Sequence, residues 1–247
     1  ITTYVHEKYF GRTANAVDPG LGYTDDERQS NQRGALLEQL SGAQEPSKQK
    51  ADAFLNYRTY ADATYPHTAS VLVMLRYVMG EEAFKEFMLL YYDRWRFKHP
   101  YPDDLLNTAE DAERVYGDTA RVRARGDLRW FFDQWFEKTW KLDYAVAGLT
   151  TAPEGNGFRA TVTVERRERA IMPIDLCFHF RDGSTVTRWI PVDDWLRTVA
   201  TERTYSYTFP TEPCSVEIDP EGALLDVNRL NNASGLWPRL DVDLVPK

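Results

Sequence analysis

The chain has 247 residues, 43% of them hydrophobic and 13% aromatic, with a formal net charge of -8. That is enough apolar material for one or two packed domains. The acidic balance argues against a nucleic-acid partner, which calls for a basic patch, and against contact with an anionic membrane surface. No apolar run approaches the about 20 residues needed to span a bilayer, and no charged segment followed by an apolar stretch marks a secretory leader.

The first part of the chain reads as helices. Ile1 to Phe10 form one, stopped by Gly11, and a loop follows around Asp18-Pro19-Gly20 and Gly22. Asp25 and Asp26 stand where they can cap the next helix, which carries Leu36, Leu37 and Leu40 and ends near Gly42. Ser41 to Lys50 is polar and reads as loop. A helix from about Pro66 to Met79 has Val71, Leu72, Val73, Leu75 and Val78 all around its axis, as a buried helix does, and Gly80 stops it. Glu81 and Glu82 open another, with acidic groups at the positive end of its dipole. In it Phe84, Phe87, Met88, Tyr91 and Trp95 recur at spacings of three and four. Pro102, Asp103 and Asp104 open a helix to about Tyr116. The last, DLRWFFDQWFEKTW, holds Trp130, Phe131, Phe132, Trp135, Phe136 and Trp140.

Near residue 145 the period changes from 3.6 to 2. Phe158, Ala160, Val162 and Val164 alternate with polar residues. Ile174, Leu176, Phe178 and Phe180 share a second face, and Arg181-Asp182-Gly183 reads as a hairpin turn into STVTRWIPV. Further short strands are expected at TYSYTF, CSVEID and ALLDV. This predicts an α+β chain: helices over 1–145, an antiparallel β-sandwich over 146–231 and an irregular tail over 232–247.

Little in the chain offers complete chemistry. His6-Glu7 opens like the zinc motif H-E-x-x-H, which sets two imidazoles one helical turn apart, but Phe10 stands where the second His belongs. His67, His99 and His179 are scattered. Arg76, Arg94 and Arg96 could take a carboxylate, although a solvated helix face accounts for them, and Glu81, Glu82 and Glu86 read as capping and surface charge. Asn232-Ala233-Ser234 is a formal glycosylation sequon. Cys177 and Cys214 could bridge two strands or stand as separate thiols. Tyr65, just before Pro66, would sit at a helix entrance, since Pro suits the first helical position.

ITTYVHEKYFGR and ATYPHTASVLVMLRYVMGEEAFKEFMLLYYDRW, taken together, resemble the zinc aminopeptidase family, the gluzincins typified by aminopeptidase N. DLRWFFDQWFEKTWKLDYAV resembles that family's closing helix, with its Phe-Phe-x-x-Trp core. ERAIMPIDLCFHFRDGSTVTRWIP and IDPEGALLDVNRLNN resemble the β module after it. The resemblance covers most of residues 1–231 and rests on the order of the motifs. It implies that residues 1–145 are the helical half of a thermolysin-like catalytic domain, beginning just past the third zinc ligand, a Glu.

On that resemblance the chain is the C-terminal part of a zinc metallopeptidase, by default an aminopeptidase, whose full-length parent hydrolyses a peptide or protein substrate. Zinc and the H-E-x-x-H motif lie in the missing N-terminal half, so the fragment alone binds no zinc and is inactive. Tyr65 takes the family's catalytic position, donating a hydrogen bond to the oxyanion of the tetrahedral intermediate; Tyr60 and Tyr57 compete for it. Tyr65-Pro66-His67-Thr68 stands where the family usually shows Tyr-Glu-Lys-Gly, a departure that bears on substrate preference. The alternative is a non-catalytic interaction or scaffold module that keeps the fold, and a third reading is a sandwich that binds carbohydrate on exposed coplanar aromatics. The compartment is not legible in this sequence.

Overall fold

The computed structural model describes residues 25–117 and 127–234. The expected helix over 1–10, with His6, Glu7 and Phe10, lies outside the described residues, as do the loop at 18–22 and the end of the tail. The described chain is mixed α+β: a helical N-terminal region, then two three-stranded antiparallel sheets. It divides into two compact units. One takes the described residues up to Lys141 with Pro191–Asp193 and Gly222–Val227; the other takes Leu142–Ile190, Asp194–Glu221 and the described residues from Asn228.

In the helical unit, α1 (Asp25–Ser41) ends at Gly42, whose φ of 74° is the left-handed stop that a Cβ would strain. α2 (Tyr57–Asp62) runs through a π turn (Ala63–His67) into α3 (Thr68–Met79). α3 is buried nearly all round, as its composition predicts, and stops where the Gly80 N–H bonds the Arg76 carbonyl. α4 (Glu81–Trp95) buries Ala83, Phe84 and Phe87; α5 (Pro102–Tyr116) buries Leu106, Ala109 and Ala112, three residues apart. The two are tied by Arg94 to Asp111 at 2.6 Å and by the Trp95 indole to Thr108 at 3.4 Å.

The closing helix is shorter than its sequence predicts. α6 (Arg129–Phe132) passes into a π turn (Asp133–Glu137), and the chain is extended from Lys138, leaving Trp140 outside. The carbonyls that would continue the helix are already taken. That of Trp135 meets His67 Nε2 at 3.0 Å, and that of Phe136 accepts the Lys48 N–H at 2.9 Å.

In the sheet unit, β1 (Tyr144–Glu154), β2 (Gly157–Arg166) and β5 (Glu202–Phe209) form one sheet in the order β1-β2-β5. β3 (Ile174–Phe180), β4 (Thr185–Ile190) and β6 (Pro213–Ile218) form the other in the order β4-β3-β6. Ile174, Leu176, Phe178 and Phe180 are all buried, and Gly183 turns the β3–β4 hairpin at φ 84°, as the alternation and the Arg-Asp-Gly signal predict. Phe178 meets Tyr207 and Phe209 of the first sheet at 5.5 and 4.8 Å, and Phe180 meets Phe209 at 5.4 Å. The exposed face of the β2–β5 pair carries hydroxyls instead, with Thr161 beside Ser206 and Thr163 beside Thr204. The carbohydrate reading needs coplanar aromatics there, and these strands turn theirs inward.

ALLDV is not a strand. Ala223, Leu224 and Leu225 are buried consecutively in the helical unit, where the Leu225 N–H points to the Met74 sulfur at 3.4 Å and the Gly222 carbonyl accepts Gln32. Three consecutive buried side chains cannot come from period-2 alternation. The sequence does not mark β1, whose period is broken by a register shift between Val146 and Gly148. The short α7 (Asp193–Leu196), which sets Trp195 against Tyr144 at 5.2 Å, was also not expected. Cys177 is buried and Cys214 exposed, and both are free thiols. Asn232 is only 3% exposed. Its carbonyl accepts the Ile218 N–H, and Ser234 exchanges bonds with Val216, so the sequon is closed to a glycan in the folded chain. No helix among the described residues is long and apolar enough to cross a membrane.

Candidate functional site

Tyr65 lies within a helix and not at its entrance. The helix begins nine residues earlier, where Asn56 accepts the N–H groups of Arg58 at 2.9 Å and Thr59 at 3.1 Å and Thr59 answers toward the Asn56 N–H. That is a capping box, which fixes the start so firmly that the chain continues through Pro66. Proline inside an α-helix has no N–H to give, and its ring crowds the carbonyl one turn back. The backbone answers with a wider turn over Ala63–His67, and neighbouring hydroxyls take up the loosened carbonyls. Thr68 bonds the Ala63 carbonyl at 2.9 Å, Ser70 bonds that of Pro66 at 2.8 Å, and Thr64 bonds that of Tyr60.

On this turn Tyr65 is 63% exposed, and its hydroxyl bonds no other described residue. Its two competitors are placed differently. Tyr60 is half-buried, edge-on to Phe54 at 5.3 Å; Tyr57 is exposed in the first turn, 6.4 Å from the Tyr60 ring.

The rest of the turn is held from inside. Gly34 of α1 packs on Pro66 so closely that a Cβ at Gly34 would stand 3.3 Å from the proline Cβ. His67 is buried; its Nδ1 lies 3.4 Å from Gln44 Nε2 and its Nε2 3.0 Å from the Trp135 carbonyl. Burial pushes the imidazole below its ordinary range, and the Trp135 carbonyl only partly offsets this. A neutral ring with its proton on Nε2, accepting from Gln44 at Nδ1, satisfies both contacts. Read in the sequence as one of several scattered histidines, His67 is a structural clamp.

One helical turn beyond Gly34, Glu38 is 5% exposed, and neither carboxylate oxygen has a hydrogen-bond partner. Burial, and then the nearby Asp62 charge, push its carboxyl up to about 7, with the Glu45 N–H opposing them in part. Gln39 beside it is fully buried with both amide atoms unpartnered. No sequence signal singled out this pair; a polar Glu-Gln step in a helix reads as solvated.

The other expected groups do not converge on Tyr65. Arg94 is engaged by Asp111, whose carboxyl is held below its usual range by the Arg94 and Arg114 hydrogen bonds. Arg96 lies over the Tyr92 ring at 5.9 Å, and Arg76 is 4.0 Å from Glu81. Glu81 and Glu82 sit exposed in the first turn of α4. Among the described residues no group of three His, Cys, Asp or Glu is placed to hold a metal ion. No family model matches the chain, and no curated protein matches it either.

Proposed function

We propose that this chain is the C-terminal part of a zinc metallopeptidase of the aminopeptidase N type, with residues 1–145 completing a thermolysin-like catalytic domain and residues 146–231 forming a β-sandwich. The observation that carries the reading is Tyr65, an exposed phenol without a described partner, on a turn whose other side chains are tied down. A hydroxyl meant for a developing oxyanion must be held in place by its backbone and left free at its tip. Zinc belongs to the upstream segment, and Tyr65 is this chain's contribution to the chemistry. The aromatic contacts of Phe178 and Phe180 with Tyr207 and Phe209 support the sandwich.

Metal content and peptidase activity should be measured on the intact parent and on residues 1–247 in parallel. The parent is expected to hold one zinc and cleave peptides, and this chain to do neither. A parent without zinc or activity would favour the scaffold reading, and stoichiometric zinc on this chain alone would overturn the division of labour.

A further inference from the structure

We propose that Glu38 is a proton-operated latch on the π turn that carries Tyr65: with its carboxyl neutral, α1 stays seated on the turn, and with it ionised, α1 lifts and Tyr65 loses its position. The geometry carries this. α1 touches the turn at Gly34 against Pro66. One turn along α1 is Glu38; one turn back from Pro66 is Asp62, whose charge Glu38 feels. The two helices therefore run past each other with a carboxyl on each side.

Glu38 is nineteen-twentieths buried and neither carboxylate oxygen makes a hydrogen bond of good geometry, so its ionised form is poorly solvated and is favoured only weakly by the Glu45 N–H. The charged groups facing it among the described residues are acidic. They are Asp62 of α2 and Glu45 of the following loop. The Thr59 hydroxyl and the Leu55 N–H hold the Glu45 carboxyl below its usual range, so it remains charged near neutrality. Arg58 is the nearby cation; its Nε lies 3.6 Å from Asp62, but its side chain is 90% exposed and screened by water. The turn itself carries the Tyr65 phenol and the His67 imidazole, and desolvation of His67 favours its neutral form. The Glu45 N–H only partly offsets a second negative charge beside Asp62; burial and the two neighbouring carboxylates outweigh it.

The latch would make the Tyr65 turn firm in mildly acidic solution and loose in alkaline solution. Its consequence for catalysis rests on the proposed role of Tyr65; the latch itself does not. The test is hydrogen–deuterium exchange of the whole chain, following the amides of residues 57–68 with α4 as internal control, corrected for the intrinsic pH dependence of exchange. Between about pH 6 and about pH 8.5 the corrected exchange of 57–68 should rise about tenfold, while α4 changes much less. In Glu38→Gln the rise should vanish. Should that variant not fold, Glu38→Met removes the same proton and carries the same expectation. No rise in the wild type, an equal rise in α4, or a rise that survives loss of the carboxyl would overturn the latch. None of these outcomes bears on whether Tyr65 is catalytic, which only activity of the parent reads.

Discussion

α1 and β3 treat their apolar residues in opposite ways. In β3 every residue marked by the alternation is buried, from Ile174 to Phe180. Among the described side chains of α1 the buried positions are Ala35, Glu38 and Gln39, while Leu37 is 68% and Leu40 57% exposed. β3 follows the elementary rule that apolar area leaves water. α1 departs from it beside the turn that also departs from regular helix geometry. Local rules broken together, at one place, are the mark of a segment shaped by something besides its own stability. The candidate site lies at α1 and the π turn, outside the sheets.

The contrast can be broken by mutation. Phe178→Ala empties the centre of the contact with Tyr207 and Phe209 and should cost about 3–5 kcal/mol in denaturant unfolding. A loss under about 1 kcal/mol would mean that the sheets do not share a tight core.

Glu38 should give the next effect, and its sign is distinctive. Its folded-state value, about 7, lies above the ordinary 4.5, so the folded chain binds the extra proton. The associated stability is complete below about pH 4.5 and is lost as pH rises through about 7. The loss should reach at most about 3 kcal/mol. Glu38→Gln should be more stable than the wild type at about pH 8 and lose this part of the pH dependence. Unfolding curves across that range check both.

Gly34→Leu should follow, because the added side chain must enter the space held by Pro66. Overpacking of this kind costs about 1–3 kcal/mol, and the turn should show the change first, in exchange rates or Tyr65 accessibility. Leu37→Ala and Leu40→Ala should be smallest, within about 0.5 kcal/mol. A large loss from either would show that α1 is packed as its sequence pattern says and would erase the contrast with β3.

Much of the fold was legible because burial follows period. α5 begins at Pro102 and ends at Tyr116 as read, α3 ends before Gly80, and β2 to β6 lie on the alternating runs. What was missed has particular causes. Pro66 read as a helix start because proline usually stands there, whereas the capping box at Asn56 prevails and the π turn absorbs the misfit. α6 ends early because His67 and Lys48, distant in sequence, take its last carbonyls. Of the candidate site, Tyr65 stands out in the sequence on the resemblance alone and its place within a helix does not, and the Glu38, Gln44 and His67 contacts around its turn are not legible at all, since they depend on which polar groups tertiary packing buries.

The central claim is that the Tyr65 hydroxyl acts on the transition state, and Tyr65→Phe in the intact parent tests it most directly. Phenylalanine keeps the ring on an exposed turn, so folding should be unchanged. The account predicts a kcat about 100-fold lower, equivalent to about 3 kcal/mol, with KM nearly as before. A variant with near-normal kcat would contradict it.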